Sequence, residues 1–314
     1  NRIVDRIINL WESSSAWLGL KQAMRQAVFG KEGAPSSSQS LSRWVNLPGL
    51  CCQAAGGYPE WADDLTVAWL LFYVAADLMD KVQDEDQPDP WWRGIGPGAA
   101  LGAATGIYFS ASLALNRLWV NPTTQAAANE IIQDFYDSFL VMTSGQYRGL
   151  IEPTPTLDQY WENAAAKSGS FFGLACRCAA RLATADPERL SDYYQFGYHL
   201  GLLIQVRDDL DDIQPPAERG APGQKQEIAR SLAVIYASAV LPPEDNERLR
   251  ITLAAAPHDA QAAAELIRLL NQSNAALYLM TEMERQRQTA LSAIQRAAQP
   301  SPAREKLISY LLSI

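Results

Sequence analysis

Four aspartates fall within five positions in the segment Asp208–Asp212, "DDLDD", directly after the apolar run "YHLGLLIQV". On a helix, positions i and i+4 share a face with about 6 Å of rise between them. Asp208 and Asp212 therefore reach toward one place. Like charges at that spacing destabilise a helix, and the macrodipole disfavours carboxylates near its C-terminus. A divalent cation reverses the sign of both effects. Magnesium takes oxygen ligands and is usually held by one or two carboxylates together with substrate phosphates. A second cluster, "DLMDKVQDED" (Asp77–Asp86), also ends a long apolar stretch, and Asp80 and Asp84 repeat the i, i+4 pair. Two apolar, hence interior, helices that both end in carboxylates predict two walls of one cavity. The ligand that two such pairs could share through magnesium is a diphosphate, neutralised and made a leaving group by Lewis acids.

Those clusters need long helices to carry them, and the rest of the chain supplies the pattern. The 314 residues are 48% apolar, and apolar positions recur at three- and four-residue spacing. The stretches are 61–79, 101–118, 126–142, 160–182, 190–213 and 260–298, the last being the longest. Alternating strand patterns between turns are nearly absent. Segments 33–40 "GAPSSSQS", 86–98 "DQPDPWWRGIGPG" and 214–223 "QPPAERGAPG" read as loops. The expectation is an all-α fold, one large bundle of about ten helices around a central cavity, forming a single domain over 1–314.

Formal charge of −9 argues against nucleic acid, which needs a basic footprint. The longest uncharged apolar run, about 67–76, is shorter than the ~20 residues that span a bilayer. With no leader pattern at the start of the sequence, a cytoplasmic setting is expected. Cys51, Cys52, Cys176 and Cys178 lack zinc-ligand spacing and read as small core residues.

An ordered set of segments over about residues 40–240 resembles the trans-isoprenyl diphosphate synthases, or polyprenyl synthetases, which are class I isoprenoid synthases of all-α fold. The family's first aspartate-rich motif, Asp-Asp-x-x-Asp, aligns with "DKVQD", Asp80–Asp84. The second lies in a Gly-x-x-Phe-Gln context that appears as "GLLIQVRDDLDD", Gly201–Asp212, with Ile204 for the aromatic and Gln205 retained. The family's Gly-Gln pair is found as Gly145-Gln146, and its Lys-Thr pair resembles Lys167-Ser168. Upstream, "GGYPEWA" resembles the turn before the first motif.

The departures fall on one side. Lys81 replaces the second aspartate of the first motif, where it offsets charge or touches phosphate. The family's segment for isopentenyl diphosphate should fall at "SRWVNLP", 42–48, where Trp44, Val45 and Leu47 stand at the cation positions and Arg43 is close but displaced. The family's paired arginines reduce to Arg93-Gly94, and Gly223 and Lys225 are the nearest match to a later Gly-Lys.

The resemblance implies an enzyme that ionises an allylic diphosphate with Mg2+ on Asp80, Asp84, Asp208 and Asp212, with Asp209 supporting them. Lys167, Lys225 and Arg93 would bind diphosphate oxygens. Gln205 and Gln146 would face developing positive charge. Ala75 and Ala76, one turn below Asp80, leave room for a C15–C20 or longer tail, and Tyr73 and Phe72 are the next large groups. Condensation with isopentenyl diphosphate, using Arg43, Arg93 or Arg148, is the leading expectation. Cyclisation as a terpene synthase, transfer to another acceptor as in the ComQ-type prenyltransferases, and a non-catalytic subunit of a heteromeric synthase are the alternatives. The family's usual assembly implies a homodimer.

Overall fold

The computed structural model describes residues 2–30, 44–83, 90–151, 155–213, 228, 230–256 and 259–314, with backbone alone at 90, 91 and 212. Among these residues there is no strand. The helices, in chain order, are α1 (Arg2–Glu12), α2 (Leu18–Phe29), α3 (Leu47–Ala55), α4 (Asp63–Gln83), α5 (Pro90–Ile95), α6 (Pro97–Val120), α7 (Gln125–Ile151) and α8 (Leu157–Ala164). They continue with α9 (Ser170–Arg181), α10 (Pro187–Asp212), α11 (Leu232–Val240), α12 (Pro243–Ala255), α13 (Ala260–Gln272), α14 (Ala275–Ala297) and α15 (Pro302–Leu312). A π-turn, Ala165–Gly169, joins α8 to α9 without a break.

Two expectations are corrected. The segment at 86–98 is helical from Pro90 to Ile95, and a further helix starts at Pro97. Proline cannot continue a helix, but its fixed φ suits the first turn, where its missing N–H is not needed. The long stretch 260–298 is two helices. Asn274 adopts φ 57, in the left-handed region that asparagine tolerates, and starts a new helix there. The segments at 33–40 and 214–223 lie outside the described residues.

The centre of the fold is α4 and α10. Helix α4 is buried on every side from Asp63 to Phe72 and packs chiefly on α6. Its two leading aspartates suit a helix N-terminus. They are held by α1: Arg2 and Arg6 lie 2.8 and 3.3 Å from Asp63, and Arg6 donates to Asp64 at 2.8 Å. Helix α10 is seated between α9 and α14. Asp186 caps it, accepting from the Glu188 and Arg189 N–H groups at 3.0 and 3.3 Å, and Pro187 sits in the first turn. All four cysteines are buried and unbridged.

Helix α6 is long and apolar enough by length and composition to cross a membrane, and 44% of its most apolar window is buried inside the fold. Phe109 and Leu113 on its other side are exposed, as are Leu140 and Tyr147 of α7.

Candidate active site

Helix α4 ends in the first acidic cluster and α10 in the second. Beside them lies a cavity of about 340 Å³, which α4 lines with Asp77 and Asp80 and α10 with Gln205, while Asp208 and Asp209 stand outside its lining. Its polar end carries Asp77, Asp80, Gln83, Gln146, Lys167, Ser168 and Gln205. Its apolar end is formed by Phe72, Tyr73, Ala76, Tyr108, Phe139, Phe171 and Phe172, with Met79 and Met142. Spacing on α4 explains this gradient. Asp80, Ala76 and Phe72 follow one another at i−4, descending the same face by about 6 Å per step.

Asp80 is met across the cavity by Lys167, whose Nζ donates to Oδ1 at 3.3 Å. Asp77 pairs with Lys81 on the next turn at 3.1 Å. Lys81 thus offsets charge within its own helix. The Tyr73 hydroxyl is pushed well above its usual range, first by burial and then by the charges of Asp77, Asp208 and Asp80. One hydroxyl on α4 therefore senses carboxylates from both clusters, and it stays a protonated donor at any ordinary pH.

Asp209 is buried and fully engaged. Its Oδ2 accepts from the Tyr160 hydroxyl at 2.7 Å and from the Leu232 N–H at 2.7 Å, and its Oδ1 accepts from Gln205 Nε2 at 3.3 Å. This carboxylate joins α8, α10 and α11. Burial, and then the Asp209 charge and hydrogen bond, push the Tyr160 hydroxyl up as well. Asp208, the next residue, is exposed. Arg207 pairs with Asp211 at 3.0 Å and donates to the Ile314 carbonyl at 3.2 Å. Gln205 does not simply turn its carbonyl to the cavity: its Oε1 accepts from Ser168 Oγ at 2.8 Å, leaving one lone pair for a ligand. Gln146 donates to Gln83 at 3.2 Å.

Other expected residues stand apart from this cavity. Ala75 is buried against the core and Ala76 alone of the two lines the space. Arg93 is exposed on α5 over the Trp92 ring at 5.8 Å. Arg148 is paired with Glu162. Trp44 packs edge-on against Phe172 and Tyr310, at 5.4 and 6.1 Å, so it lies partly buried against the core, and Leu47 is wholly buried within it. Arg43, Asp84, Gly223 and Lys225 lie outside the described residues, as does the Asp212 side chain. Among the described residues no group of three or more potential ligands is gathered for a metal. The donors present, Asp80 and Asp208, are hard oxygen ligands of the kind magnesium takes.

A second cavity of about 160 Å³ adjoins the first and shares Gln146, Lys167 and Gln205 with it. Its remaining polar lining is Tyr160, Asn163 and Arg230. Arg230, Tyr160 and Asn163 escaped the sequence reading.

Comparison with known proteins gives this geometry its setting. Residues 22–270 match the family described as Polyprenyl synthetase. The chain is 29% identical over 244 residues, 68% of each chain, to a geranylgeranyl diphosphate synthase of Mycobacterium tuberculosis. Its fold is similar to that of a geranylgeranyl pyrophosphate synthetase from Pyrococcus horikoshii, with TM-score 0.85 and 21% identity over 99% of this chain and 94% of that one. It is also similar to a polyprenyl synthase from Caulobacter crescentus solved with calcium and isoprenyl diphosphate, with TM-score 0.75 and 17% identity over 98% and 96%. An all-α fold, a cavity flanked by two acid-ended helices and a family match over most of the sequence meet in one conclusion: the chain belongs to the polyprenyl synthetase family, a family of prenyltransferases.

Proposed function

We propose that this enzyme ionises an allylic prenyl diphosphate and condenses it with isopentenyl diphosphate to a C15–C20 product. The observation that carries the reading is the cavity, with a cation and carboxylates at one end and aromatic rings at the other. Asp80, Asp84, Asp208 and Asp212 would hold Mg2+. Bound there, the metal supplies Lewis-acid neutralisation of the leaving diphosphate.

The remaining work falls to side chains. Lys167 donates to diphosphate oxygens as the C1–O bond breaks and the electron pair leaves with oxygen. Arg230, on the adjoining polar cavity, adds a second donor, and Lys225 would add a third. The faces of Phe171, Phe172 and Tyr73 stabilise the allylic cation, and the apolar lining excludes the water that would capture it. The acceptor alkene then bonds to C1, and a proton leaves to an oxygen of the departed diphosphate.

The depth supports the product length. From Asp80 to Phe72 is eight residues, about 12 Å. An isoprene unit adds four chain bonds of about 1.5 Å, or roughly 5 Å along the chain. Two to three units fit above the Phe72 ring, which suits a C10–C15 substrate. A second reading is favoured by the packing of Trp44 and Leu47 and the exposure of Arg93. With few cations for a second diphosphate among the described residues, cyclisation or transfer to another acceptor takes the place of elongation. The deciding experiment is incubation with Mg2+ and geranyl or farnesyl diphosphate, with and without isopentenyl diphosphate, followed by product analysis. Consumption that does not need isopentenyl diphosphate selects the second reading.

The exposed apolar side of α6 and α7 is proposed to seat a second copy of the chain. Leu140→Glu should then halve the mass seen in light scattering.

A further inference from the structure

The turn that carries Lys167 and Ser168 is a π-turn: the Ser170 N–H reaches back five residues to the Ala165 carbonyl. Such a turn inserts one residue into the helix and is unfavourable in isolation, so something must hold it. One support is internal, since Ser170 Oγ donates to the Ala166 carbonyl. Two others come from neighbouring helices. A Cβ on Gly201 would lie 2.2 Å from the Ser168 carbonyl oxygen and 2.7 Å from its carbon. A Cβ on Gly145 would lie 2.9 Å from that of Ala166. Helices α10 and α7 therefore touch the turn at places where no larger residue fits.

Rotation shows what the inserted residue achieves. At about 100° per residue, an uninterrupted helix would put Lys167 within about 20° of the Tyr160 face and Ser168 about 80° away from it. The extra residue turns everything beyond Gly169 by roughly one position, and Lys167 and Ser168, inside the turn, by about half of that. Ser168 then comes onto the face of Tyr160, and Lys167 turns away from it. The hydrogen bonds agree. Tyr160 reaches Asp209 and Ser168 reaches Gln205, two positions one turn apart on α10, while Lys167 reaches Asp80 on α4.

We propose that Gly201 and Gly145 are positioning residues: by admitting the π-turn at closest approach, they aim Lys167 across the cavity at the diphosphate end. The proposal rests on the reading of Lys167 as a diphosphate donor. It differs from a packing role in acting through one side chain.

The test is a double-mutant cycle on the full chain, with kcat and KM for geranyl diphosphate. Lys167→Met should lower kcat/KM about thirtyfold, as loss of a charge-assisted hydrogen bond does. Gly201→Ala should lower it by a similar factor, and the Lys167→Met/Gly201→Ala protein should be no worse than Lys167→Met alone. A crystal structure of Gly201→Ala should show the Lys167 ammonium displaced from Asp80. If Gly201→Ala does not fold, Gly145→Ala reads the same coupling, because its contact is with one methyl group. Multiplying effects in the double variant, or wild-type kcat/KM in folded Gly201→Ala, would overturn the positioning role while leaving Lys167 as a donor. Full activity in Lys167→Met would remove that donor reading and the positioning role with it.

Discussion

Replacing Phe72 tests the aromatic floor directly. The ring is 1% exposed and lies 4.1 Å from Phe139, 4.9 Å from Tyr108 and 5.8 Å from Phe135, centroid to centroid. The next residue on this face of α4 is Ala68, also buried, so Phe72→Ala clears about one further turn, ~5.4 Å. That is close to one isoprene unit, and the dominant product should lengthen by five carbons. Truncating a buried phenylalanine costs about 3–5 kcal/mol, a large part of the ~5–15 kcal/mol that holds a typical domain together. The assay should therefore run near 20 °C, with folding checked by circular dichroism. Phe72→Leu should shift the product less, at a smaller stability cost. The reverse change, Ala76→Phe, should shorten the product or block turnover by filling the space one turn below Asp80. Products are read as the dephosphorylated alcohols by mass spectrometry. A folded Phe72→Ala enzyme with the parent product distribution would refute the floor.

Three other outcomes follow from the site. Asp208→Ala or Asp80→Ala should abolish turnover with Tm nearly unchanged in the absence of metal, because each removes an exposed or half-exposed acid; a large loss of Tm with activity retained would make these acids structural. Asp209→Ala should instead lower stability, since it leaves the Tyr160 hydroxyl and the Leu232 N–H without their acceptor, at about 1–3 kcal/mol each; urea titration measures it, and an unchanged midpoint would contradict the network. His199 is held below its usual 6.5 by burial, although its hydrogen bond to Gln286 opposes the shift. The unfolded chain then binds more protons between the lowered value and 6.5, so this contribution is complete above 6.5 and is lost as pH falls through the folded value. Tm should drop below pH 6.5 in the parent and less in His199→Gln.

Sequence reasoning reached the two acid-ended helices because their information is local. Helical spacing, an apolar run and carboxylates at its end all lie within about twenty residues of one another in α4 and in α10. The same holds for the floor, whose order on α4 is fixed by i−4 steps. What escaped is either long-range or conformational. Tyr160 and Asp209 are 49 residues apart, and nothing in either segment announces the partner. The π-turn has no compositional signature, since "AAKSG" suits an ordinary helix equally well. Prolines at 90 and 97 look like breakers in the sequence although each starts a helix, and Asn274 is silent there because a single left-handed residue leaves the apolar periodicity on both sides intact.

The binding pattern of Asp209 bears on how such sequences can be read over evolutionary time. Its carboxylate is a rivet between three helices, whatever chemistry the neighbouring Asp208 performs. A descendant that had lost catalysis would still be under selection to fold, and would keep the second aspartate of the motif for that reason alone. Drift would show first at Asp208 and Lys167, whose side chains are exposed or half-exposed and contribute little to the core. On the proposed reading, retention of Asp209 alone would report an intact scaffold, whereas retention of Asp208 beside it would report a working enzyme.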